Sequence, residues 1–341
     1  MTDSEIDQKR NNEEIAPQQF VLVLRTCDAN LRSYGGFQWP NHSFVAAPDW
    51  NPESICGGGL HGLLWGAGNG SLLNWEERAT WLVVKVIAKD IVNLGEKVKF
   101  PRGEVVFCGD RTGATEYIVA NGGNQETVVG HTRTACADAS VTVGYGGDAT
   151  AGDHGTATAG DHGTAKAGDH GTATAGRRGA ATAGHEGKAT AGHEGTATAG
   201  HYGTATVGDY GTATAGHEGK ATAGHEGTAT AGDYGTATVG DYGTATAGDH
   251  GTATAGHEGT ATAGDHGTAK AGDHGTAKAG VGGTVTAGIG GVVVVSYFNH
   301  KGQHYHAGAR VRDGYGNGTL EPNVPYQLDE KFEFKQVVEK S

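Results

Sequence analysis

Twelve histidines, at positions 154, 162, 170, 185, 193, 201, 217, 225, 250, 257, 266 and 274, fall at one of two adjacent places in an eight-residue unit, most of them beside an Asp or Glu. Imidazole and carboxylate together are ligands for Zn²⁺ and other divalent ions. They are equally what a solvated turn requires, and that plainer role is the expected one: no metal site and no cofactor is assigned. The same histidines carry a charge chemistry. Residues 143–294 hold fifteen acidic and seven basic side chains, giving −8 with neutral histidines and +4 with all twelve protonated. With a reference imidazole pKa of about 6.5, the colloidal behaviour of this segment is expected to change between about pH 7 and 5.

A second set of reactive types lies nearer the N-terminus. Cys27, Cys56, His61 and Cys108 would make a Cys₃His zinc set, but no two of them have close ligand spacing, so buried structural cysteines are expected instead. Cys56 with His61 has the types of a nucleophile and base, without any surrounding motif to support the pairing. The stretch GGGLHG (Gly57–Gly62) lacks both the GK[ST] ending of a phosphate loop and the GxGxxG spacing of a dinucleotide site. Trp39, Trp50 and Trp65 stand near Pro and Gly, where they could line a small-ligand pocket, although core packing is their commoner use. No catalytic residue is assigned.

Composition divides the chain that must position these groups. All five tryptophans precede residue 82, and none of the seven prolines falls between residues 143 and 294. Residues 1–17 are polar and aperiodic, a disordered lead-in by expectation. Residues 18–122 alternate β-branched runs such as FVLVLRTC and TWLVVKVI with Gly- and Asn-rich turns, the pattern of a globular, β-rich domain closed by a short helix that Asp110 would cap. Degenerate repeats begin at residue 127, regular ones end at 294, and residues 295–341 read as β-hairpins that cap the array. Widely spaced cysteines and an N-terminus without an apolar signal core lead us to expect a cytoplasmic protein. No run of eighteen apolar residues exists and the net charge is −13, so neither a membrane nor a nucleic-acid partner is expected.

From Val143 to Val294, nineteen octads follow one another in unbroken register, written Ala-Gly-x-x-Gly-Thr-Ala-Thr. Thr-Ala-Thr-Ala has the period of a strand, and two glycines around a polar pair suit a tight turn with positive φ. Alanine gives a strand too thin a core to stand alone, so stacking into a β-solenoid is obligatory. Glutamates at 186, 194, 218, 226 and 258 include pairs eight apart but none sixteen apart. A coil of about sixteen residues, two octads, therefore avoids stacking like charges at a rung spacing of about 4.8 Å. It also alternates Glu194, Tyr210, Glu226, Tyr242 and Glu258 in one turn column. Such a coil makes the two outer faces unequal. One carries five intact rungs, Thr196 with Thr198, Thr212 with Thr214, Thr228 with Thr230, Thr244 with Thr246, and Thr260 with Thr262; the other is interrupted by Lys188 and Lys220.

The octad is similar to the octapeptide of bacterial ice-nucleation proteins, which alternate two distinct octads and carry Gln between the threonines and Ser before them in the first. Here those places hold Ala and Gly. The whole layout also resembles phage-encoded or bacterial octapeptide-repeat proteins of unknown function, through GGFQW (Gly35–Trp39) and GGLHGLLW (Gly58–Trp65), with Leu60 where an aromatic is common. The resemblances imply an N-terminal domain, a solenoid and a β cap. The leading expectation is a non-enzymatic structural or interaction protein whose Thr-faced solenoid spaces, displays or laterally assembles a small binding domain with a partner of its own. The alternative is a protein that binds ice or ordered water through the Thr-Ala-Thr face, where regularly spaced hydroxyls and methyls match an ice-like pattern.

Overall fold

The computed structural model describes residues 19–299 and 301–338; the polar lead-in lies outside them. The chain forms two compact units, residues 1–131 and 132–341.

The first unit is a seven-stranded antiparallel sheet made of β1 (Phe20–Cys27), β2 (Phe44–Ala46), β3 (Leu60–Leu64), β4 (Thr80–Ile87), β5 (Val92–Asn93), β6 (Val98–Phe100) and β7 (Arg102–Gly109), in the order β2-β7-β4-β1-β3-β6-β5. The two most apolar runs, β1 and β4, pair along their whole length from Phe20 opposite Ile87 to Cys27 opposite Thr80. Leu22, Val23 and Leu24 are all buried, which requires cover on both sheet faces. Val23, Leu82, Val84, Phe100 and Trp39 share one core layer. Helix α1 (Arg111–Ala120) buries Ala114, Thr115 and Ile118, and its N-terminus is capped as expected by Asp110, which accepts a hydrogen bond from the Gly113 N–H at 2.8 Å.

The second unit is the expected β-solenoid. Four-residue strands recur every eight residues from Ser140–Val143 to Thr284–Ala287, preceded by Thr132–Ala135 and followed by Val292–Phe298. Alternate strands belong to opposite sheets of twelve strands each. Within a sheet, each residue pairs in parallel with the one sixteen positions on, as Ala213 does with Ala197 and Ala229. The second and fourth residues of each strand point inward, so the core is a ladder of alanine relieved by Val207, Val239, Val285 and Val293. At the C-terminal end both sheets turn antiparallel. Val292–Phe298 pairs with His304–Arg310, and Val285 pairs with Tyr326 of a short hairpin, Tyr326–Leu328 with Phe334–Gln336. Val311, Leu320 and Tyr326 extend the alanine core into this cap.

The turns differ from the sequence expectation in one respect. Positive φ belongs to the second residue of the polar pair, whose sixteen His, Arg, Glu and Tyr side chains from His154 to His274 all have φ between 52° and 58°. The bracketing glycines serve close approach instead. A Cβ on Gly200 would lie 2.8 Å from the Gly184 carbonyl carbon of the coil before, and one on Gly203 would lie 2.9 Å from the Gly187 carbonyl oxygen. Both obstacles are backbone, so they cannot rotate away. Ladder bonds repay the left-handed strain: the N–H of each such residue donates to a carbonyl of the next coil, as Tyr202 does to His217 at 2.9 Å.

Candidate functional site

The register brings the ten singled-out threonines into one array. Thr196, Thr212, Thr228, Thr244 and Thr260 stand in one column, and Thr198, Thr214, Thr230, Thr246 and Thr262 in the other. Each column repeats at the rung spacing of about 4.8 Å, and the two are separated by two residues of strand, about 6.6 Å. All ten are at least partly exposed. Among the described residues no side-chain hydrogen bond engages their hydroxyls, in contrast to Thr284, whose Oγ1 accepts from Gln327 in the cap. β-branching fixes χ1 on a strand, so hydroxyls and methyls repeat with the backbone. The array is bounded on one side by Ala180 in place of the first threonine, with Lys166 one strand beyond, and on the other by Lys278 in place of the second. The opposite sheet carries Lys188, Lys220 and Lys270 among its threonines. Lysine there interrupts the pattern with a long mobile cation.

The turn columns are ordered by polar contacts between coils. Tyr210 Oη donates to Glu226 Oε1 at 3.4 Å and Tyr202 Oη to Glu218 Oε1 at 3.2 Å, the Glu/Tyr alternation that a sixteen-residue coil predicts. The negative charge of Glu226 raises the Tyr210 phenol, while the hydrogen bond from Tyr202 to Glu218 is the main cause of its own upward shift. Arg178 Nε donates to Glu194 Oε2 at 2.7 Å and holds that carboxyl below the usual range. His154 stacks on His170 with ring centroids 4.9 Å apart, and Tyr234 on His250 at the same distance.

One group among the described residues could hold a metal ion: His170, His185 and Glu186, whose ligand atoms lie within 4.8 Å of one another. Glu186 also lies 3.4 Å and 3.5 Å from the Nδ1 atoms of His170 and His185, ion-pair distances that by themselves require no metal. Cys27, Cys56, His61 and Cys108 form no such group among the described residues. Cys27 is buried and Cys56 is exposed with its Sγ 3.3 Å from Lys97 Nζ. Of the three tryptophans, Trp39 lines a cleft of about 780 Å³ in the first unit, together with Cys56 and His61. The sequence reading passed over Arg25, which lines it too; the available signal was a lone cation inside the apolar run FVLVLRTC.

Against known proteins, the ice nucleation protein of Xanthomonas campestris pv. translucens is 40% identical over 103 residues, 30% of this chain and 7% of that protein. The ice nucleation protein of Pseudomonas syringae is 43% identical over 102 residues, 29% of this chain and 9% of its own length. Ice nucleation protein InaU of Pantoea ananas is 38% identical over 101 residues, 29% of this chain and 10% of the relative. This chain thus matches a tenth or less of the length of these relatives, at a level consistent with the octapeptide resemblance. No family model and no solved structure matches the chain.

Proposed function

We propose that the protein is an ice-binding, ice-nucleation-like protein and that its working surface is the five-rung threonine face. The observation that carries this reading is the uninterrupted register of Thr196 to Thr260 and Thr198 to Thr262, two in-register columns on one sheet whose hydroxyls have no side-chain partner among the described residues. A regular lattice of this kind can order water by repeating one hydroxyl and one methyl per site, with little side-chain entropy to lose on contact. The likeness to ice nucleation proteins supports it, and favours the surface over the spacer as the solenoid's purpose. The chemistry is non-enzymatic: it needs a repeated pattern and no reactive group.

Thermal hysteresis and ice-crystal shaping with the purified full chain test the reading, beside a Thr228→Lys/Thr244→Lys variant. Both threonines are surface residues in mid-face but register partners on adjacent rungs, so the two lysines repel and the variant is expected to fold with a modest loss of about 1 kcal/mol, checked by its melting curve. Faceted crystals with the native chain and round ones with the variant are the expected result. Round crystals from both would sink the proposal. A second reading, a rigid spacer for the N-terminal unit, draws on the antiparallel cap that closes both sheets and makes the solenoid a unit of fixed length. A spacer would keep its function with both lysines in place.

A further inference from the structure

The cleft in the seven-stranded unit is walled by the end of β1, the loop 33–39, β3 and Lys97. Its electrostatics are unusual for a chain of net charge −13. The Arg25 guanidinium lies 4.0 Å from the Trp39 ring centroid, with Nη1 donating to the His61 carbonyl at 3.2 Å and Nη2 to the Thr26 carbonyl at 3.4 Å. Among the described residues its buried Nε has no partner, and the same is true of His61 Nε2. On the strand that pairs with His61, Lys99 is fully buried, its Nζ donating to the carbonyls of Ile55 at 2.8 Å and Gly57 at 3.1 Å. Lys97 is the second cation on the cleft wall, held against the Cys56 sulfur.

Among the described residues, no carboxylate lies within ion-pair distance of Arg25, Lys97 or Lys99. Among the described residues lining the cleft, Asp49 is the one acidic side chain, against the two cations Arg25 and Lys97. Carbonyl dipoles satisfy donors but leave the charge uncompensated, and a desolvated cation without a counter-charge is costly to the fold. The field is felt locally: burial first, and then Lys97, Arg25 and Lys99, hold the His61 imidazole below its ordinary pKa. Burial likewise lowers Arg25. A cleft with half-buried Arg25 and Lys97 on its wall, unpaired nitrogens on Arg25 and His61, and a buried Lys99 whose charge also reaches His61 is poised for an anion.

We propose that this cleft binds a small organic oxyanion, a molecule carrying phosphate or carboxylate. Its charged group would sit against the Arg25 guanidinium and the His61 edge, under Lys97. Its body would lie along half-buried Phe37 and fully exposed Tyr34 at the lip. The planar guanidinium fork suits both phosphate and carboxylate. This site is independent of the threonine face, and either can fail without the other.

All five tryptophans lie in this unit while tyrosines also occur in the solenoid, so tryptophan emission, excited selectively over tyrosine, reports on this unit alone. Titration of the full chain with pyrophosphate, AMP and citrate at mildly alkaline pH is the test. At least one probe should give a saturable change and raise the melting temperature, with affinity falling about tenfold or more in Lys97→Ala and in Arg25→Lys. Response to pyrophosphate and AMP identifies phosphate, and response to citrate alone identifies carboxylate. Lys97 stands at the cleft rim, so its variant keeps the test valid if Arg25→Lys fails to fold. Absence of any saturable response at millimolar probe, or equal affinities for native and Lys97→Ala chains, overturns the proposal.

Discussion

At nine coil steps the first turn residue is Asp, and at each of them its Oδ1 accepts a backbone N–H from the coil above, as Asp233 does from Asp249 at 2.9 Å. The aspartates are thus the mortar of the turns, a use that the sequence concealed because Asp and His alternate there as though they were equivalent polar residues. Asp233→Ala should cost about 1 kcal/mol in chemical denaturation, and Asp233→Asn, which keeps an acceptor, distinctly less. In the cap, Asp329 receives Lys335 Nζ and the backbone N–H groups of Lys331 and Glu333, and the hydrogen bond from Lys335 is the main cause that lowers its pKa to about 2. A carboxyl whose folded pKa is depressed contributes stability above its unfolded pKa, and that contribution disappears as pH falls through the folded value. Asp329→Asn should therefore melt below the native chain at neutral pH, the gap closing between about pH 4 and 2. A gap that persisted near pH 2 would mean that the charge is not what matters in that turn.

At the scale of the element, the strand and its partner two octads later are the unit of construction. Residues 185–216 and 217–248 are identical except that His201 is matched by Asp233. Deleting 217–248 removes two whole coils and keeps the strands that follow in their original sheets, so the shortened chain should still melt cooperatively. It would hold three intact threonine rungs where there were five, and its thermal hysteresis should fall well below the native value. Unchanged hysteresis would show that the length of the face is immaterial. The strands and the sixteen-residue coil were legible because the repeat shows the same alternation nineteen times, and because Glu spacing separates the two stacking schemes. The location of the left-handed residue was not. Glu and Tyr are types that single-residue preferences keep out of positive φ, and only the coil-to-coil backbone contact at positions such as Gly200 and Gly203 shows why glycine is needed elsewhere. The cleft was equally hidden: Arg25, His61 and Lys97 are far apart in sequence, and the pairing of β3 between β1 and β6 is what brings them to one wall.

For the whole molecule, charge and shape combine in the solenoid. Among the described residues no helix is long and apolar enough to cross a membrane. The array of residues 143–294 carries −8 with its twelve histidines neutral and +4 with all of them charged, so acid should weaken repulsion between copies and lateral association should appear. Static light scattering between about pH 7 and 5 checks this, and a flat trace would remove self-association from the account. The left-handed turn position has a further consequence. His, Arg, Glu and Tyr all occupy it with nearly the same φ, and Gly282 and Gly290 take it over where the array nears its cap. Neighbouring coils dictate the backbone there, so the side chain is free to vary in type and its duty is confined to contacts with the turn above or below. Each edge of the solenoid is in effect a line of type in which letters can be reset one at a time, at fixed pitch, while the page itself holds its form.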